Sequence, residues 1–326
     1  MTATLERTEP GRTAPARSRR ARRKRLQVIG FMSPWIIGFS LFFAYPLLAT
    51  GYFSLTSYDL LSPPDWVGLR NYAYLLFGDP VVRIAAANTL WLVLVLTVLR
   101  VVFALGVAAV IARLRRGVGL VRTLCYLPAL APPVAATLAF TFLFNPGTGP
   151  VNGLLRTLGI DGPLWFNDPA WAKPALTLLT LWGCGELMII MLAALLDVPQ
   201  ELHEAAALDG AGPIGRFWHV TLPSIAPVLL FGVVNSIIFS LQYFTQALVA
   251  GAVASGQAEV VGSSKVVGFP DNATLTFPAW LYQQGFHYYN MGYAATMAVV
   301  LFVFSLGFTA LLIRRMRGGT NAEEVG

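Results

Sequence analysis

The sequence predicts an all-α polytopic membrane protein with six transmembrane helices. Three observations predict it. Of 326 residues, 56% are hydrophobic and 12% are charged, about half the charged share of an average soluble domain. The mean hydropathy of +0.63 is too apolar for a soluble globule of this size and excludes a disordered chain. The apolar residues also gather into six long runs, and about 20 such residues suffice to cross ~30 Å of hydrocarbon.

The first run covers residues 28–53 and follows a basic arm, 1–27. Nine of the 23 Lys and Arg lie in that arm: Arg7, Arg12, Arg17, Arg19, Arg20, Arg22, Arg23, Lys24 and Arg25. The run is too long for a signal-peptide core, and no small-residue cleavage pattern follows. A basic arm joined directly to an apolar span has the character of a cytoplasmic flank. Without interleaved aromatics it does not point to nucleic acid.

The second run, 85–112, carries Arg100 in its middle. Such a charge costs roughly 3 kcal/mol on insertion, and the surrounding Leu, Val, Ile and Phe offset it at about 0.5 kcal/mol each. Ala104, Ala108 and Ala112 form a small-residue stripe suited to close helix packing. The third run, 123–144, is interrupted by Pro128, Pro132 and Pro133, which predicts either a kinked helix lining a cavity or an irregular helix start. In the fourth, 173–196, Glu186 follows Gly183-Cys184-Gly185, where glycines let a backbone or a ligand come close. Arg100 and Glu186 therefore either line a polar pathway or pair within the bundle. The fifth run, 224–250, holds Asn235, Ser236, Ser240, Gln242, Tyr243 and Gln246. Ser236, Ser240 and Tyr243 share a helical face, suited to a hydroxyl-rich solute or to bonds between helices. The sixth run is 289–313, and a short tail, 316–326, follows the membrane domain, 28–315.

Orientation follows from Lys and Arg. With the N-terminus inside, six spans return the C-terminus inside. The inner segments then hold seventeen basic residues: the nine of the arm, Arg113, Arg115, Arg116, Arg122, Arg216, Arg314, Arg315 and Arg317. The outer segments hold five: Arg70, Arg83, Arg156, Lys173 and Lys265. Segments 54–84 and 251–288 are long and rich in Pro, Gly, Asn and aromatics, as suits a surface meeting something outside the cell.

Several chemistries are excluded. Cys125 and Cys184 both lie in apolar runs, so neither a disulfide framework nor a Cys-based metal site is expected. His203-Glu204 begins a zinc-protease pattern, but residue 207 is alanine and the second ligand is missing. No Gly-Lys-Ser/Thr occurs, so the chain has no phosphate-binding loop of its own. No catalytic or metal-binding residue is predicted. A stand-alone secondary transporter would show repeated halves with broken helices, and none is visible.

The inner loop, 197–223, carries the strongest signal. Asp197 and Pro199 predict the start of one short helix, Gly210 its left-handed end, and Pro213 a second helix to about Val220. The first presents Ala205, Ala206 and Ala207 between Glu201, Glu204 and Asp209, a narrow surface able to enter a partner's groove. The segment Glu204-Ala205-Ala206…Asp209-Gly210-Ala211…Phe217…Pro223…Pro227 resembles the EAA signature of ABC-importer inner-membrane permeases. Further stretches resemble the branch for carbohydrates and glycerol phosphate. They are Tyr45-Pro46-Leu47, Val67-Gly68-Leu69-Arg70-Asn71-Tyr72, Asn88-Thr89, Leu127-Pro128…Pro132-Pro133, Asn145-Pro146…Asn152, Tyr282-Gln283-Gln284-Gly285-Phe286 and Met291-Gly292-Tyr293-Ala294. The likeness runs from residue 31 to 315, resembles the first permease of the pair in maltose-type sugar importers, and departs from the pattern around 255–275, where this chain is longer.

The resemblance implies the type I importer permease fold in a bacterial or archaeal inner membrane, both termini cytoplasmic. It implies a heterodimer with a second permease, two ATPase subunits carrying ATP and Mg, and an extracytoplasmic solute-binding protein. This chain itself would bind no cofactor. Glu204, Ala205, Ala206, Ala207, Asp209, Gly210 and Ala211 would form the contact with the ATPase. Gly183, Glu186, Ser236, Ser240 and Tyr243 are the candidate lining of the substrate path. A sugar or sugar derivative is the expected solute, with Glu186 favouring a neutral one; glycerol phosphate or another polar solute is the alternative.

Overall fold

The computed structural model describes residues 16–256 and 266–323. Arg7, Arg12 and Lys265, and with them part of the arm, of the long outer segment and of the tail, lie outside the described residues. The chain forms two compact units, Met1–Tyr52 and Phe53–Gly326.

In the first unit, α1 (Ala16–Phe39) starts inside the basic arm and passes through a π-helical turn, Ser40–Ala44, into α2 (Tyr45–Phe53). At the turn the Tyr45 N–H donates to the Ser40 carbonyl, five residues back. Pro46, which has no N–H to offer, follows immediately. Gln27–Phe53 is long and apolar enough to cross a membrane, matching the first expected span.

The second unit opens on a two-strand ribbon, β1 (Thr56–Ser57) antiparallel to β2 (Asp65–Trp66), with Thr56 opposite Trp66. α3 (Arg70–Ala73) and a π-turn lead to α4 (Pro80–Ala112). This helix starts earlier than expected because Asp79 caps it, accepting from the N–H groups of Val81 and Val82 at 2.9 and 3.4 Å, with Pro80 in the first turn. α5 (Val118–Tyr126) runs into a 3-10 turn, Leu127–Leu130, and then bends 98° into α6 (Pro133–Leu143). The cause is steric: a residue preceding proline is pushed out of the helical region, and both Ala131 and Pro132 are extended, at ψ 131° and 134°. The expected third span is thus two helices at nearly a right angle.

α7 (Pro150–Thr157) lies in the next connection. α8 (Pro169–Trp182), capped by Asp168, and α9 (Gly185–Leu196) meet at 51° across Gly183-Cys184. α10 (Gln200–Leu208), α11 (Pro213–Arg216), a π-turn and α12 (Leu222–Ser224) form the loop that carried the signature. α13 (Ala226–Leu241) leaves it at 72°. The expected fifth span then breaks a second time at 242–244, before α14 (Thr245–Ala254). α15 (Phe277–Tyr282) precedes α16 (Met291–Glu323), of which Met291–Arg314 is long and apolar enough to span. Among the described residues three unbroken helices pass that test, and six spans result when each bent pair counts as one.

Within the second unit α4 is the organising helix. Its first half packs Leu92 and Leu96 against Phe140, Leu176, Leu179 and Tyr243. Its second half packs Val101, Ala104, Ala108 and Ile111 against Leu187, Met188, Met191 and Leu192. Ala104 and Ala108 are fully buried, so the alanine stripe is where α9 comes close. Lipid gives no hydrophobic drive for such packing, and close van der Waals fit replaces it. Leu90, Leu94, Val98 and Val102 stay exposed at every fourth position of the same helix, an apolar stripe fit for lipid or a neighbouring helix.

Candidate functional site

The helix breaks converge. A cavity of ≈ 360 Å³ is walled by the α5–α6 bend (Pro128, Ala131, Pro133), the α8–α9 bend (Thr180, Trp182, Gly183, Glu186) and the end of α13 (Asn235, Phe239, Gln242), with Arg100 of α4 and Gln246 of α14. Broken helices expose backbone polar groups, and at membrane depth these are tolerated only inside protein or beside water-filled space. Breaks on three elements thus meet around one polar cavity.

Two of the five path residues expected from the sequence line this cavity, Gly183 and Glu186. The glycines divide the work anticipated for them. A Cβ on Gly185 would stand 2.5 Å from the Cys125 carbonyl oxygen and 2.8 Å from Tyr126 Cα, so this is where α5 crosses α9. At Gly183 the nearest atoms would be 3.8 Å away, leaving its surface to the cavity. Ser236, Ser240 and Tyr243 are buried and lie outside the lining of this cavity. The Ser240 hydroxyl donates to the Ser236 carbonyl at 2.8 Å, and the Tyr243 hydroxyl lies 3.1 Å from Thr180 Oγ1. The opposite polar stripe of the segment, Asn235, Gln242 and Gln246, faces the opening instead.

Arg100 is 7% exposed. Its guanidinium carbon sits 4.1 Å above the centroid of the Phe239 ring. Nε and Nη1 have no hydrogen-bond partner among the described residues, so neither bonds to Glu186. Each unpaired buried donor costs about 1–3 kcal/mol, and a cation–π contact returns only about 0.5–2 kcal/mol. Among the described residues no group of three His, Cys, Asp or Glu side chains gathers as a metal site.

The loop at the other end of α4 is built to be seen. α10 has no buried residue. Leu208 is 90% exposed at its end, and Ile214 on α11 and Trp218 on the π-turn after it are exposed too. Gly210 ends α10 at φ +85°, and the N–H groups of Gly210 and Ala211 donate back to the carbonyls of Ala207 and Ala206, the bonding that a left-handed C-terminal residue provides. Asp197 ends α9 and does not cap α10, whose N-cap is Pro199. Gln200 Nε2 donates to Glu204 Oε1 across one turn, at 2.8 Å.

A family model described as "Binding-protein-dependent transport system inner membrane component" matches residues 100–317. The chain belongs to that family. It is 35% identical over 308 residues to the probable ABC transporter permease protein YesP of Bacillus subtilis strain 168, covering 94% of this chain and 95% of that one. It is 31% identical over 297 residues to the sulfoquinovosyl glycerol transport system permease protein SmoG of Agrobacterium fabrum, covering 90% and 91%. Its fold matches a chain in the crystal structure of a bacterial ABC transporter that imports the acidic polysaccharide alginate, with a TM-score of 0.73 at 20% identity, over 92% of this chain and 98% of that one. The permease therefore has the type I importer fold and is a transport component, not an enzyme.

Several stretches that carried the resemblance turn out to be fasteners of the permease. Asn88 Nδ2 donates to the carbonyls of Asn272 and Leu275 at 2.7 and 3.0 Å, and the Phe277 N–H donates to Thr89 Oγ1 at 2.8 Å. Asn71 Nδ2 donates to the Ser54 and Thr56 carbonyls. Asn152 accepts from Trp165 Nε1 at 2.6 Å and donates to the Pro163 carbonyl. Sequence reasoning missed Asp79, whose Oδ2 accepts from both Trp280 Nε1 and Tyr293 Oη at 2.8 Å. The Asp79-Pro80 pair was the available signal, as Asp168-Pro169 was for α8.

Proposed function

We propose that the permease carries a sugar or sugar derivative inward across the inner membrane of a bacterium or archaeon, as one of two permease subunits in an ATP-driven importer. The observation that carries this reading is the meeting of helix breaks around one polar cavity. Asn235, Gln242 and Gln246 offer both donors and acceptors there, as a hydroxyl-rich solute requires. The sugar-derived solutes named for the sulfoquinovosyl glycerol permease and the alginate importer favour the same class.

In this reading α10 docks in a cleft on an ATPase subunit through Glu204, Ala205, Ala206 and Ala207, with Asp209, Gly210 and Ala211 shaping its end. Its alanines let a partner approach closely, and its exposure leaves it free to do so. ATP and Mg are held by the partner, whose closure moves the docked helix and biases the bundle between two states. A binding protein delivers the solute on the face opposite the loop, and both termini lie on the cytoplasmic side with α10.

Mass spectrometry of proteins co-purified with the tagged permease in mild detergent, with ATPase activity measured on the eluate, tests the reading. A P-loop ATPase and a second six-span permease are expected. A chain that elutes alone or as a homo-oligomer, yet transports without ATP, would overturn it.

A further inference from the structure

The Arg100 guanidinium is left without a task by everything described so far. We propose that it is the anion-recognition element of the path, so that the permease selects saccharides bearing an oxyanion, a carboxylate or a sulfonate, over their neutral counterparts. This deepens the importer reading of the same cavity and rests on it.

Three features carry the inference. Arg100 is more than nine-tenths buried and lines the cavity, yet Nε and Nη1 find no partner among the described residues. A guanidinium placed only to tie helices together would use the acceptors around it. Those acceptors are turned toward one another: Thr180 Oγ1 donates to the Leu176 carbonyl, and the Tyr243 hydroxyl lies against the same two groups. Phe239 lies against the guanidinium, with its ring centroid 4.1 Å from the guanidinium carbon, and a guanidinium carries its N–H donors as a planar fork. That fork matches the planar edge of a carboxylate, or two oxygens of a sulfonate, with two parallel charge-assisted bonds. An ionisable side chain at membrane depth is otherwise expensive to maintain, and its default meaning is a ligand or ion pathway.

Glu186 shares the cavity and attracts this charge, but it does not occupy the fork. It stands exposed on the α8–α9 bend and does not bond to Nε or Nη1. A carboxylate there, with Asn235 and Gln242, accepts sugar hydroxyls while Arg100 takes the oxyanion. The preference for a neutral sugar expected from Glu186 alone is thus reversed by the second charge in the cavity.

The test uses the complete importer, purified with its own subunits and binding protein and reconstituted in ATP-loaded vesicles. Four radiolabelled probes are offered: digalacturonate and sulfoquinovosyl glycerol, and their neutral counterparts galactobiose and glucosyl glycerol. Wild type is expected to import an oxyanion probe at least about tenfold faster than its counterpart, the size of one charge-assisted bond. Arg100→Gln is expected to remove that advantage, and Arg100→Lys to restore part of it. Wild-type import of a neutral probe as fast as its oxyanion counterpart overturns the anion selection and leaves the sugar-importer reading standing. So does an Arg100→Gln variant that keeps the wild-type ratio. If Arg100→Gln fails to assemble, the wild-type ratio decides alone. Import of none of the four overturns the importer reading, and the inference with it.

Discussion

Asp79 and Arg100 are buried charges on the same helix, and their surroundings differ in kind. Both oxygens of Asp79 are used: Oδ1 by two backbone N–H groups at the start of α4, Oδ2 by Trp280 and Tyr293. With Asn88 and Thr89, between two and three turns on, they fasten the first half of α4 to the segment between α14 and α16 and to the start of α16. Around Arg100 the pattern inverts. Two of its nitrogens, Thr97 Oγ1 and Ser236 Oγ are buried without a bond among the described residues. A polar cluster with every member satisfied rigidifies a structure, whereas a partly satisfied one is a standing cost. The difference separates the fastened frame at the start of α4 from the unsatisfied stretch that borders the cavity.

Substitutions break or sharpen that contrast. Asp79→Ala should cost about 3 kcal/mol, because it removes a helix cap and strands two buried donors; the thermal midpoint of the detergent-purified complex reads it. Gly185→Ala should cost about 2 kcal/mol by forcing α5 from α9, since the new Cβ meets backbone that cannot turn aside. Gly183→Ala, two residues away, has room and should leave the midpoint unchanged. Asn88→Ala should cost about 1–2 kcal/mol for two hydrogen bonds. Thr97→Val, on the unsatisfied side, should be neutral or stabilising by up to about 1 kcal/mol, because it replaces an unbonded buried hydroxyl by a methyl of similar shape. A loss at Thr97 as large as that at Asn88 would erase the distinction between the two regions.

The sequence yields the spans because hydropathy needs no tertiary knowledge. It yields the bend after α5 because three prolines announce it, and the end of α10 because Gly210 takes a left-handed conformation. The second break in the fifth span carries neither Pro nor Gly. There Tyr243 is fully buried with its hydroxyl against Thr180 of another helix, and nothing local signals it. Which face lines this cavity is hard to read from the sequence for a related reason. Serine hydroxyls can be satisfied by their own helix, as Ser240 is by Ser236. An amide has more donors and acceptors than a helix can satisfy, so Asn235, Gln242 and Gln246 mark the open side and Ser240 the packed side. Arg100 was visible as a charge at depth, but that it lacks a partner only the packing reveals.

In the importer reading proposed above, the cavity opens and closes with nucleotide bound by a partner while the fastened end of α4 stays fixed. The direct measurement is labelling of single cysteines by a membrane-impermeant maleimide in the reconstituted importer, with Cys125 and Cys184 replaced by alanine. One cysteine replaces Gln242 in the cavity, and a control replaces exposed Asp65 in the β-ribbon. Labelling at Gln242→Cys should change several-fold between nucleotide-free and ATP-bound states, labelling at Asp65→Cys should not, and Gly210→Val should abolish the change. Equal labelling of Gln242→Cys in both states, with ATP turning over, would contradict the account.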